Sequence, residues 1–134
     1  MSQVQCENWP DLQAPKTTSV LLDLFSRVDE LLVERPGTVL VHCSAGVGRT
    51  GAFLALFKLI KDYERGVSHE IFNKCLMVCG HCAIKYCMQV TLDPFSTVLE
   101  MRRQRKKMIQ KPVQYNYVIN CLADHARQEV SDYV

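Results

Sequence analysis

At 134 residues and a formal net charge of +2, the chain is one small domain at most, without the basic excess that draws nucleic acid or membranes. No apolar run approaches the roughly 20 residues of a membrane span, and the N-terminus lacks a basic, apolar, small-residue leader pattern. Seven cysteines, an odd number, do not suit a disulfide framework, so the expected compartment is the reducing cytoplasm.

In chain order, Trp9-Pro10-Asp11 with Pro15 behind it reads first as an ordinary turn. Thr17 to Val33 predicts a helix with one apolar face made by Val20, Leu21, Leu24, Phe25, Val28, Leu31 and Leu32. Pro36-Gly37 stops it and turns the chain. Thr38-Val39-Leu40-Val41 predicts a short buried strand, since its alternation is too weak for an exposed face. A Gly-bearing loop follows, and Ala52 to Arg65 predicts a helix packed on more than one side, because Phe53, Leu54, Leu56, Phe57, Leu59 and Ile60 nearly encircle it. Asp93-Pro94 predicts an N-cap and first-turn proline opening a helix through Arg105. Pro112 opens another through about Ala126, with Tyr115, Val118, Ile119 and Leu122 inward. The expected fold class is α/β, a short strand feeding the loop and the C-terminal helices packing behind it.

The loop His42-Cys43-Ser44-Ala45-Gly46-Val47-Gly48-Arg49-Thr50-Gly51 carries most of the chemistry. A strand, a tight turn and a helix N-terminus make an oxyanion cradle, in which backbone N–H groups converge and the helix dipole adds positive potential. The glycines let the backbone approach an anion closely. A cysteine set among those donors and near an arginine is largely thiolate, which makes Cys43 a nucleophile. The Arg49 fork can hold two oxygens of a tetrahedral phosphate while charge redistributes. Thr50 can donate its hydroxyl to the sulfur as it leaves in a second step, and His42 is expected to orient the loop through its ring nitrogens. The alternative, a buried structural cysteine in a Gly-rich turn, is disfavoured. Six specified positions in ten arise by chance in about one in 10⁵ chains of this length.

The loop resembles the signature loop of the protein tyrosine phosphatases, and its Ala45-to-Gly51 stretch looks like the tyrosine-specific branch more than the dual-specificity one. The resemblance implies that Ser44, Ala45, Gly46, Val47, Gly48 and Arg49 hold the phosphoryl oxygens. Trp9-Pro10-Asp11 then resembles the family's mobile acid loop, with Asp11 protonating the leaving phenolate. Arg102-Arg103-Gln104-Arg105, followed by Gln110 and Gln114-Tyr115, resembles its glutamine loop. Gln110 would there position the water that hydrolyses the phosphocysteine, assisted by Gln114, and no metal or cofactor is implied. The basic run alone reads as a solvated helix face, as its outer charges do. Leu12-Gln13 stand where the family carries His-Gly, and Cys6 stands where it carries an aromatic. These differences bear on loop closure and the first step, not on thiolate attack. The family fold takes on the order of 250 residues. The resemblance therefore implies a partial catalytic domain over residues 1–134, lacking the early helices and several strands, with apolar faces uncovered.

Val67 to Gln89 fits neither the resemblance nor its surroundings. Deleting it joins Arg65-Gly66 to Val90-Thr91-Leu92-Asp93-Pro94 and restores the family spacing. Val67-Ser68 is compatible with a splice-donor codon pair and Gln89 with an acceptor. The segment is expected to be an insertion of unspliced-intron character, which a coding sequence without those dinucleotides would exclude. Its Cys75, Cys79, His81, Cys82 and Cys87 also allow a zinc site, although paired Cys-x2-Cys knuckles are absent.

Hydrolysis of phosphotyrosine in proteins is thus the leading expectation, with phosphotyrosine proteins as partners. A catalytically impaired phosphotyrosine-binding module and a zinc module remain the alternatives. A dual-specificity or lipid phosphatase is the near relative disfavoured by the acid and glutamine loops.

Overall fold

The computed structural model describes residues 2–66 and 92–132, and among these the chain forms four α-helices. The first, α1, runs Ser19–Glu34 and α2 runs Arg49–Gly66. The third, α3, runs Pro94–Gln104 and α4 runs Pro112–Asp132. The segment expected to be an insertion, residues 67–89, lies outside the described residues, as do all its cysteines.

Two helix ends have a clear local cause. Helix α1 stops before Pro36, its C-cap Arg35 N–H closing on the Leu31 carbonyl at 2.9 Å. Helix α3 opens as its Asp-Pro pair predicts, with Asp93 Oδ1 accepting from the Ser96 N–H at 2.9 Å and Oδ2 from the Ser96 hydroxyl at 2.6 Å. The Ser96 hydroxyl, with the Ser96 amide, holds the Asp93 carboxyl below its ordinary value. Thr18, at the N-cap of α1, makes no side-chain cap; its hydroxyl donates instead to Asp124 of α4 at 2.8 Å.

Helix α2 is the hub, packing on α4, α3 and α1. Ala52, Ala55, Leu56 and Ile60 are fully buried along it, while Leu54 is exposed where the near-encircling pattern predicts contact. Leu21 and Phe25 from α1 meet Val118 and Cys121 from α4 in the same core. Tyr117 donates its hydroxyl to the Thr17 carbonyl at 2.7 Å, tying α4 to the entry of α1. Trp9 closes one end of this core, its ring 5.7 Å from that of Tyr117 in an edge-on contact.

The expected α/β class is corrected by this architecture: among the described residues there is no strand and the fold is all-α. Residues 38–41 run without regular structure, and Leu40 is 88% exposed. A strand exists only as a member of a ladder, and no other described residue offers a partner edge to this segment. Of its apolar side chains Val41 is packed against the core. The connection to the loop that follows is therefore an irregular tether rather than a sheet element.

Candidate active site

The loop of residues 42–48 sits directly on the N-terminus of α2, whose first residue is Arg49. Helix α2 starts with the Gly51 N–H bonded to Val47 O at 3.1 Å and the Ala52 N–H to Gly48 O at 3.0 Å. The amides preceding these have no intrahelical acceptor and surround Cys43. Gly46 N–H donates to the Cys43 sulfur at 3.2 Å. Burial pushes the Cys43 thiol up, but the Thr50 side chain and the amides of Thr50, Gly46 and Val47 outweigh it and bring it from 9.0 to about 7. The Thr50 hydroxyl is buried without a well-aligned hydrogen-bond partner, so it acts on the sulfur as a nearby dipole.

Arg49 reaches across this loop. Its Nη2 donates to Ser44 Oγ at 3.2 Å and lies 3.4 Å from Asp11 Oδ1, while Nη1 donates to the Trp9 carbonyl at 3.1 Å. Its Nε is buried with no partner. One guanidinium therefore gathers the segment carrying Asp11 and the loop carrying Cys43. Asp11 is mostly exposed, and its Oδ1 also accepts from the Leu12 N–H at 3.1 Å. Leu12 takes a left-handed backbone, φ 57°. Trp9 Nε1 donates to Gln13 O at 2.9 Å, closing the turn from the other side.

The C-terminal segment approaches from behind. Gln110 Oε1 and Gln114 Nε2 lie over Gly48, where a Cβ would stand 2.8 and 3.0 Å from them. At Gly51 a Cβ would stand 2.6 Å from the Ile109 nitrogen, so a side chain there is incompatible with this packing. Gln114 is fully buried on α4; its Oε1 accepts from the amides of Gln110 and Lys111 at 3.1 and 3.3 Å, and its Nε2 has no partner. Arg105 Nη2 donates to Ala45 O at 3.1 Å.

Cys43, Ser44, Gly46, Val47, Gly48, Arg49, Thr50, Asp11, Gln110 and Gln114 thus converge, whereas His42 is exposed. Sequence reasoning missed Arg105 as a loop contact, and it missed Ile109, whose N–H donates to Val47 O at 2.9 Å. The signal available was position alone, between a basic run and a glutamine. Among the described residues no three His, Cys, Asp or Glu side chains group to hold a metal ion, and no helix is long and apolar enough to cross a membrane.

Comparison with known proteins gives this geometry a context. The protein-tyrosine phosphatase family model matches residues 1–124. The chain is 34% identical over 124 residues to receptor-type tyrosine-protein phosphatase V of Rattus norvegicus, covering 91% of this chain and 6% of that protein. It is 32% identical over 129 residues to receptor-type tyrosine-protein phosphatase eta of Gallus gallus, covering 95% and 8%. Against receptor-type tyrosine-protein phosphatase epsilon of Rattus norvegicus the identity is 30% over 125 residues, covering 93% and 15%. The chain therefore spans between 6% and 15% of the length of these relatives.

Proposed function

The chain belongs to the protein-tyrosine phosphatase family, and from that membership we propose that it hydrolyses phosphotyrosine in proteins through a phosphocysteine on Cys43. The observation that carries the reading is the Cys43 sulfur ahead of a helix N-terminus, 3.2 Å from the Gly46 N–H, where the Thr50 side chain and the loop amides outweigh burial and bring the thiol to about 7. At neutral pH such a sulfur is about half thiolate.

In the first step the Cys43 thiolate attacks phosphorus, and the bond from phosphorus to the phenolic oxygen breaks. The electron pair leaves on that oxygen, which takes a proton from Asp11. The amides of residues 44–49 and the Arg49 fork hold the three remaining phosphoryl oxygens, and the unpartnered Arg49 Nε supplies a donor for one of them. For Arg49 to do this, phosphate must replace Asp11 and Ser44 as its partners, which frees the carboxyl for the leaving group. In the second step a water attacks phosphorus with Asp11 taking its proton, and the sulfur leaves as thiolate beside the Thr50 hydroxyl. In this reading Gln110, whose side chain lies over Gly48, holds that water, and the buried Gln114 accepts from the Gln110 amide. In this reading residues 1–134 are part of a catalytic domain whose partners are phosphotyrosine proteins, and the reaction belongs in a reducing cytoplasm.

A catalytically impaired phosphotyrosine-binding module is the second reading, favoured by the Asp11–Arg49 pair that occupies the anion-holding guanidinium. Phosphate release from a phosphotyrosyl peptide separates the two. Turnover by the unmutated chain, lost in Cys43→Ser, supports hydrolysis. Peptide binding with no release at any enzyme concentration supports the binding module and rejects hydrolysis.

A further inference from the structure

Between α3 and α4 the chain makes a turn whose backbone holds two left-handed residues, Lys107 at φ 67° and Ile109 at φ 59°. For a β-branched side chain such as Ile109 this conformation is a sterically disfavoured outlier and persists only where surrounding bonds enforce it. Two sets of bonds do so. Ile109 N–H donates to Val47 O at 2.9 Å, an oxygen that also accepts from Gly51 N–H at the start of α2. From the other side Arg102 of α3 forks onto the turn, Nε to Met108 O at 2.9 Å and Nη2 to Ile109 O at 2.8 Å. The carbonyl of Ile109 and the nitrogen of Gln110 belong to one planar peptide. Arg102 therefore fixes the plane from which the Gln110 side chain departs.

We propose that Arg102 is a positioning residue for Gln110, acting on the water-dependent second step and not on attack by Cys43. The role rests on the hydrolytic reading for its kinetic consequence, whereas the mechanical link from Arg102 to the Ile109–Gln110 peptide stands on geometry alone. A lysine keeps the charge at this position but cannot form the parallel two-bond fork. The groups that face Cys43 are the Thr50 side chain and the amides of Thr50, Gly46 and Val47, and Arg102 bonds to none of them.

The test compares Arg102→Lys and Arg102→Ala in the full chain, with Arg103→Ala as control because, among the described residues, Arg103 pairs with exposed Glu100. Amide hydrogen exchange is read at Ile109 and Gln110, and rapid-quench kinetics follow phenol and phosphate from a phosphotyrosyl peptide. Exchange at Ile109 and Gln110 should quicken about tenfold in both Arg102 variants, while the α2 amides keep their rates. The phenol burst should keep its rate constant while steady-state kcat falls about tenfold and phosphocysteine accumulates. Exchange indistinguishable from that of the Arg103 control overturns the proposal, whatever the activity. So does a proportional loss of burst rate and kcat, which is the mark of a general structural role. If the unmutated chain releases no phosphate, the hydrolytic reading fails by itself, and the exchange result still decides the link.

Discussion

Cys43 and Cys121 are both free thiols withdrawn from bulk water, yet the first is brought down to about 7 and the second is pushed up to about 12. Burial raises both and is the largest single influence on each. The difference lies in what else faces the sulfur. Cys43 sits where three amides and a threonine converge ahead of α2. Cys121 lies inside α4, helped by the Tyr117 hydroxyl but opposed by the Asp124 charge. Its own weak donation, to the Thr18 carbonyl at 3.8 Å, uses the protonated form. The contrast between these two thiols thus follows from the donors at the start of a helix as well as from the deeper burial of Cys121.

The largest effect expected from breaking this contrast is at the sulfurs themselves. Cys43→Ser should abolish phosphate release from a phosphotyrosyl peptide, whereas Cys121→Ser should leave it in place; equal losses would remove the distinction. Next is Arg49→Lys, which keeps charge at the loop but removes the fork. Turnover should fall about 10²–10³-fold in the same assay. A smaller effect sharpens the comparison by pH. Iodoacetamide should modify Cys43 with a midpoint near pH 7 and leave Cys121 protected until the chain unfolds. Thr50→Ala removes the first of the lowering influences, so the Cys43 midpoint should move to higher pH. The two thiols also push stability in opposite directions with pH. The depressed Cys43 contributes stability present above its unfolded value of 9.0 and lost as pH falls through about 7. The raised Cys121 contributes stability present below 9.0 and lost as pH rises toward about 12. Smallest is Thr18→Val, which removes the hydrogen bond to Asp124 and should cost about 1 kcal/mol by urea denaturation.

What was legible in the sequence was what neighbours in the chain decide. The Asp93-Pro94 start of α3 and the Pro112 start of α4 are single-turn events, and both appear where expected. Helix α4 runs further than its apolar face suggests, since it continues past Ala126 to Asp132. The Cys43-to-Arg49 loop was legible because its donors, its thiol and its guanidinium lie within one contiguous stretch. The strand at residues 38–41 was misread because pairing is a property of two segments, and the sequence pattern of one says nothing about the other. Ile109 was hidden for a related reason. A left-handed isoleucine looks unfavourable locally, and only Val47 and Gly51, distant in sequence, make sense of it.

Leu12 shapes the turn beside Asp11. A branched side chain held at φ 57° stores on the order of 1–2 kcal/mol in the turn beside Asp11, and any return to negative φ releases it. The turn is a strained bend whose cost is written in one backbone angle. Exchange of Leu12 for glycine would remove that cost, because glycine takes positive φ freely. One backbone angle can therefore change the stability of this turn while every side chain that meets Arg49 stays the same.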